Sequence, residues 1–137
     1  MKKGSTLLGA MIISSLLIIL SALFLKIVYN TYLASNLLIQ REAAFWLAEA
    51  GIEKGKFLLA RNLNWYTDLP HYPEDDVQWL KTGAVGQREN MGGNYFKIVR
   101  EMNKNLLYAV GYHGKAVAII KVCFSPGSVS NLKWEEL

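Results

Sequence analysis

Charge is what this chain is short of. Only 19% of its 137 residues are charged, against 52% apolar, which excludes an intrinsically disordered polypeptide. The shortage is local. From Gly4 to Leu25, 22 consecutive residues carry no charge at all. Cysteine is nearly absent too: the single Cys123 rules out an internal disulfide and any multi-cysteine metal site. Only three prolines occur, none before Pro70, so no proline breaks a helix in the first half. Net charge is +4, but Lys2 and Lys3 supply half of it, leaving 13 basic residues against 11 acidic ones. That balance argues against nucleic acid as a specific partner. Neither a glycine-rich phosphate loop nor a nucleophile elbow is present in the sequence.

The uncharged stretch Ser5–Leu25 reads STLLGAMIISSLLIILSALFL. As a helix it would span roughly 30 Å, the thickness of a bilayer's hydrocarbon core. Twelve of its residues are Leu, Ile or Phe, together worth about −4 to −7 kcal/mol of insertion free energy. That outweighs the mild penalties of Gly9, Ser14, Ser15 and Ser21. Lys2 and Lys3 precede the run and Lys26 alone follows it, so the positive-inside bias predicts a cytoplasmic N-terminus and an external C-terminal domain. A cleaved secretory signal is the alternative. Its apolar region is shorter, and Ser21-Ala22-Leu23 is a poor cleavage site.

Helical character continues past the membrane edge. Between Ile27 and Arg61 there is no proline, and the first glycine is Gly51. On a helical wheel Thr31, Ser35, Glu42, Glu49, Glu53 and Lys56 share a polar arc, with Leu33, Leu37, Ala44, Leu47, Ala48, Gly51 and Leu58 opposite. The spacing predicts one helix of about 55 residues, roughly 80 Å long, spanning the membrane over 5–25 and continuing amphipathically over 26–62. Gly51 and Gly55 lie four apart on the apolar side, where small residues let a sheet or another helix approach. Residues 63–93 read as irregular, with a short helical turn around Pro73–Leu80, where Glu74, Asp75 and Asp76 follow a proline. Strand patterns then occupy 94–137: Tyr95–Glu101, Leu106–Tyr112, Ala116–Phe124 and a last short run at Leu132–Glu136. Lys104-Asn105, His113-Gly114 and Ser125-Pro126-Gly127 read as the turns between them. The expected fold is α+β, a long N-terminal helix packed on a small antiparallel sheet.

This layout resembles the type IV pilins and pseudopilins. The leader Lys2-Lys3-Gly4 before Ser5-Thr6-Leu7-Leu8 is similar to a prepilin cleavage motif. Ala43-Ala44-Phe45-Trp46-Leu47-Ala48-Glu49-Ala50-Gly51-Ile52-Glu53 resembles a segment of minor pilins, and Leu132-Lys133-Trp134-Glu135-Glu136 resembles their Trp-acidic ending. The resemblance implies that residues 1–4 are a leader, that a prepilin peptidase cuts between Gly4 and Ser5, and that Ser5 is then N-methylated. It also implies helix-packing roles for Leu33, Leu37, Ala44, Leu47, Ala48, Gly51 and Gly55. Implied partners are other pilins, the prepilin peptidase, the inner-membrane assembly platform and membrane lipid. The implied location is the bacterial inner membrane, then an extracellular or periplasmic filament of a type IV pilus or a type II secretion pseudopilus. One position departs from the family. Most pilins carry Glu at the fifth mature residue, and here it is Gly9. A buried carboxylate in lipid costs about 2.5–3.5 kcal/mol and persists only with a partner. Its absence points to a tip or assembly-priming subunit rather than the repeating one.

Nothing in the sequence assembles a catalytic centre, and no enzyme activity or cofactor is expected. His71 and His113 lie 42 residues apart beside turns. Cys123, within the apolar strand pattern Val122-Cys123-Phe124, reads as a small buried core residue. Glu74-Asp75-Asp76 lacks the spacing of a calcium loop. Trp65, Tyr66, Tyr72 and Trp79 form an aromatic-rich connection that packs on the sheet or offers an interaction patch. The rival function is a signal-anchored extracytoplasmic binding or enzymatic domain that never enters a filament. A tethered assembly adaptor is a second rival.

Overall fold

The structure is a computed structural model that describes residues 2–69, 76–83, 87–125 and 128–137. It is α+β. A 60-residue helix α1 (Lys2–Arg61) is followed by a π-helical turn (Trp79–Gly83) and five strands: β1 (Gln87–Met91), β2 (Asn94–Val99), β3 (Leu106–His113), β4 (Ala116–Ser125) and β5 (Ser128–Glu136). The chain divides into two units, Met1–Leu37 and Leu38–Leu137. In the first, α1 is alone. In the second, α1 packs on the sheet.

The sheet is an antiparallel meander in the order β1-β2-β3-β4-β5. Gly92 and Gly93, at φ +58° and +87°, close the β1–β2 hairpin, a two-residue loop that demands positive φ at both positions. Strand β1 falls where the sequence suggested irregular chain. Its residues Gln-Arg-Glu-Asn-Met show no apolar alternation, and with Arg88, Asn90 and Met91 exposed no buried face requires one. The Pro126-Gly127 turn, and 73–75 of the expected helical turn, lie outside the described residues. The remainder of that turn starts on Asp76, whose Oδ1 accepts the Trp79 N–H at 3.0 Å.

Side chains alternate cleanly between the two faces. Phe96, Ile98, Leu107, Ala109, Ala118, Ile120, Val122 and Phe124 meet Ala44, Ala48, Ile52 and Leu59 of α1 in one buried cluster. Full burial of a side chain such as Ile52 or Leu59 contributes about 1.5–3 kcal/mol. On the other face Val99, Tyr108, Val110 and Ile119 form a second cluster with Leu80, flanked by Leu69, Val77, Trp79 and Leu137. The connection after α1 therefore covers the face that the helix does not.

Ion pairs from α1 reach both rims of the sheet. Lys54 pairs with Glu89 on β1, and Arg41 Nη2 lies 3.0 Å from Glu136 Oε1 on β5. Lys56 Nζ sits 5.7 Å from the ring centroid of Trp134, also on β5.

Candidate functional site

No cluster of three or more His, Cys, Asp or Glu suited to a metal occurs among the described residues. The feature that calls for a function is the surface of α1. Every residue from Ala10 to Ile39 is exposed, and most are large and apolar: Ile18 is 69% exposed, Leu25 67% and Phe24 66%. An 18-residue window reaches a mean hydropathy of 2.6 with none of it buried. Water does not tolerate such a surface on a lone helix, and a monomeric soluble protein does not present one.

Three hydroxyls within this segment are satisfied locally. Ser15 Oγ donates to Ile12 O at 2.8 Å, Ser21 Oγ to Leu17 O at 2.7 Å, and Thr31 Oγ1 to Ile27 O at 2.9 Å. Hydroxyls folded back on the backbone in this way present no unmet donor to an apolar medium. The helix is thus a candidate membrane anchor by length, composition and internal hydrogen bonding. Gly4 and Ser5 are exposed on it. A Cβ built on Gly9 would meet nothing within 4 Å.

The packing positions named from the sequence fall into two groups. Leu33 and Leu37 are exposed, at 41% and 62%. Ala44, Ala48, Gly51 and Gly55 are buried and Leu47 is half-buried. Beneath Gly51 the Cβ position lies 3.0 Å from Ala109 Cβ and 3.1 Å from Phe96 Cδ2. Beneath Gly55 it lies 2.6 Å from Leu107 Cδ2. The sheet side of this close approach is Gly111, where any Cβ would collide with the Ala44 carbonyl oxygen and the Ala48 nitrogen. Gly111, Ile52 and Leu59 were not singled out from the sequence. The glycine could have been noticed as the one small residue without a Cβ inside an otherwise bulky strand.

Two polar constellations also escaped the sequence. Arg100, 4% exposed, donates from Nη1 to Leu63 O at 3.0 Å and to Trp65 O. Its backbone N donates to Thr67 Oγ1 at 3.2 Å, and Thr67 N donates to Arg100 O at 2.9 Å. These bonds fasten the connection that leaves α1 to the end of β2. On the outer face Lys97, 1% exposed, donates from Nζ to Lys81 O at 3.3 Å. Tyr112 Oη donates to the same carbonyl at 2.6 Å. Tyr112 stacks on Tyr95 at 4.4 Å, and Arg88 lies 5.1 Å from the Tyr95 centroid. Burial, and secondarily the nearby Arg88 charge, pull the Lys97 ammonium down to about 8. Burial, and then Tyr95, push the Tyr112 hydroxyl above its ordinary value against the opposing pull of Arg88.

Cys123 is half-buried rather than a core residue, because it points to the outer face next to the rim position of Lys133. His113 ends β3 at the hairpin turn and is half-buried. His71, Tyr72, Glu74 and Asp75 lie outside the described residues. Beside β5, Leu38, Arg41, Glu42, Phe45, Trp46 and Glu136 line an open groove of about 610 Å³.

No protein-family model, curated protein or solved structure matches the chain. What stands on its own geometry is a long apolar N-terminal helix whose last part packs on a five-stranded antiparallel sheet.

Proposed function

We propose that the chain is a minor pilin or pseudopilin, a structural subunit of a type IV pilus or a type II secretion pseudopilus, acting at the tip or in the complex that primes assembly. The observation that supports this reading is one uninterrupted helix, α1, with two kinds of surface. Residues 10–39 are exposed all round and apolar throughout up to Leu25 except for serines, while Ala44, Ala48, Ile52 and Leu59 are buried on the sheet. The apolar part stores the subunit in the inner membrane with its N-terminus cytoplasmic. On extraction, the same surface packs against the helices of other subunits, so that no apolar area is handed to water at either stage.

Lys2 and Lys3 hold the leader at the cytoplasmic face for the prepilin peptidase, and Gly4 presents an unhindered bond before Ser5. Gly9 supplies no carboxylate to pair with a neighbour's N-terminal amine, which suits a subunit that begins a filament rather than repeats along it.

The test is the mass of the N-terminal peptide from cells that carry a prepilin peptidase. The expected product starts at N-methylated Ser5 and co-purifies with other helical subunits. A mature protein that retains residues 1–4 and never associates with a filament overturns the reading and favours a tethered adaptor.

A further inference from the structure

The buried charged side chains among the described residues, Lys97 and Arg100, are both cations. Arg100 is held by the carbonyls of Leu63 and Trp65. Lys97 is less well provided for. An ammonium has three N–H donors, and this one makes a single hydrogen bond, to Lys81 O. Among the described residues no carboxylate pairs with it. Glu89 is engaged with Lys54, Glu101 with Lys104 and Glu135 with Lys121.

Directly opposite Lys97 in the β1–β2 ladder stands a second cation, Arg88, on the same outer face. Like charges so placed are destabilising. The Gly92-Gly93 loop is closed by Met91 and Asn94 as a bonded pair. By alternation Arg88 and Lys97 are then a non-bonded pair, the kind whose side chains come closest. Two tyrosines flank them. Arg88 lies 5.1 Å from the Tyr95 ring centroid and Lys97 Nζ 5.2 Å from that of Tyr112, and the rings stack at 4.4 Å. The cluster meets solvent at Arg88, which is exposed, whereas Tyr95 and Tyr112 are half-buried.

A buried cation without a counter-charge costs stability, and a second cation facing it adds to the cost. Conflicts of this kind are kept where a ligand's charge resolves them. We propose that Arg88 and Lys97, with Tyr95 and Tyr112 beside them, bind an oxyanion, the phosphate or carboxylate group of a ligand. The Arg88 guanidinium donates to it from the solvent side as a planar fork, and the Lys97 ammonium faces it from beneath as a point charge. Their mutual repulsion is replaced by two attractions. Even with its pKa drawn down to about 8, Lys97 is mostly charged at pH 7. The bound group also ties the edge strand β1 to β2 and, through Lys97, to the Lys81 carbonyl of the covering turn.

The test is an NMR titration of the isotope-labelled full chain in detergent micelles at pH 7. Sodium phosphate and, separately, sodium acetate replace sodium chloride at constant ionic strength. Saturable shifts with a millimolar midpoint are expected at the amides of Lys81, Arg88, Tyr95, Lys97 and Tyr112. A tighter response to phosphate identifies a phosphoryl ligand, and a tighter response to acetate a carboxylate. Arg88→Gln and Lys97→Met should each weaken binding about tenfold or more, because each removes one charge-assisted contact. Lys133→Gln, which removes an exposed cation on the far rim strand β5, should leave binding unchanged. Circular dichroism shows that each variant keeps the fold. No saturable shift with either ion, or shifts that survive both Arg88→Gln and Lys97→Met, overturns the proposal. So does equal weakening by Lys133→Gln, which would reveal attraction to net charge alone. The site does not depend on the proposed pilin role, and its readout is separate from leader processing.

Discussion

Gly111 of β3 passes beneath Ala44 of α1 so closely that a single added carbon would strike the Ala44 carbonyl oxygen. Backbone is there, not a flexible side-chain end, so helix and sheet would have to separate. Overpacking of this kind costs about 1–3 kcal/mol and sometimes more. Gly111→Ala is expected to lose at least that much stability in denaturant unfolding followed by tryptophan fluorescence. Gly51→Ala is expected to lose less, since Ala109 and Phe96 are side-chain contacts near 3 Å and alanine recovers about 1 kcal/mol of helix propensity. The reverse order would contradict the close crossing at Gly111.

Lys97 and Tyr112 make stability depend on pH in opposite senses. Lys97 is held at about 8 when folded, against 10.5 for a free lysine. Between those values the unfolded chain binds more protons, so stability rises with pH across the window. Tyr112 is raised, so the stability it contributes is present below its ordinary value of 10 and is lost above it. Unfolding measured from pH 7 to 11 should show stability rising above pH 8 to a maximum near pH 10, with a gain on the order of 2 kcal/mol over pH 7. Lys97→Met should abolish the rise. It should also be at least as stable as the parent at pH 7, because Tyr112 Oη still donates to the Lys81 carbonyl.

Removing Arg100 strands two carbonyls, those of Leu63 and Trp65, and empties space beside Phe124, whose ring centroid lies 5.4 Å from the guanidinium. Arg100→Ala is expected to cost about 2–4 kcal/mol. Hydrogen exchange should show faster opening of residues 62–69 before the sheet loosens. Thr67→Val, which deletes the bonds to Ile98 O and Arg100 N, should give a smaller loss in the same segment. A global loss without local opening would refute the fastening role.

Leu16 is 52% exposed in the middle of the apolar segment. Leu16→Arg adds about 2.5–3.5 kcal/mol to insertion at the helix centre. Membrane fractionation should find less of the variant in the membrane, and under the proposed role filaments should lack it. Normal incorporation would remove the argument that one apolar surface serves both membrane storage and packing.

Much of this architecture is written locally in the chain. The long helix follows from an apolar run without proline, and β2, β3 and β4 follow from alternation between turn residues. The rim strand β1 leaves no trace, because Arg88, Asn90 and Met91 stay exposed and a strand without a buried face needs no apolar alternation. The helical wheel grouped Leu33 and Leu37 with Ala44, Ala48 and Gly51, since periodicity gives a direction around the helix but not where the sheet begins along it. Lys97 was invisible for a related reason. A lysine in an alternating strand reads as solvent-facing, and its burial depends on a connection, Trp79–Gly83, that arrives from 16 residues upstream. Cys123 is half-buried where its apolar neighbours in sequence suggest a core position, because neighbours along a strand do not reveal how fully each face is covered.

The salt bridges from α1 to Glu89 and Glu136 have a mechanical meaning. Each is only a surface pair, worth little at rest. Because they grip the two outermost strands, a pull transmitted along the helix enters the sheet at both margins together with its centre. The load is then shared between the two margins and the packed helix–sheet contact between them.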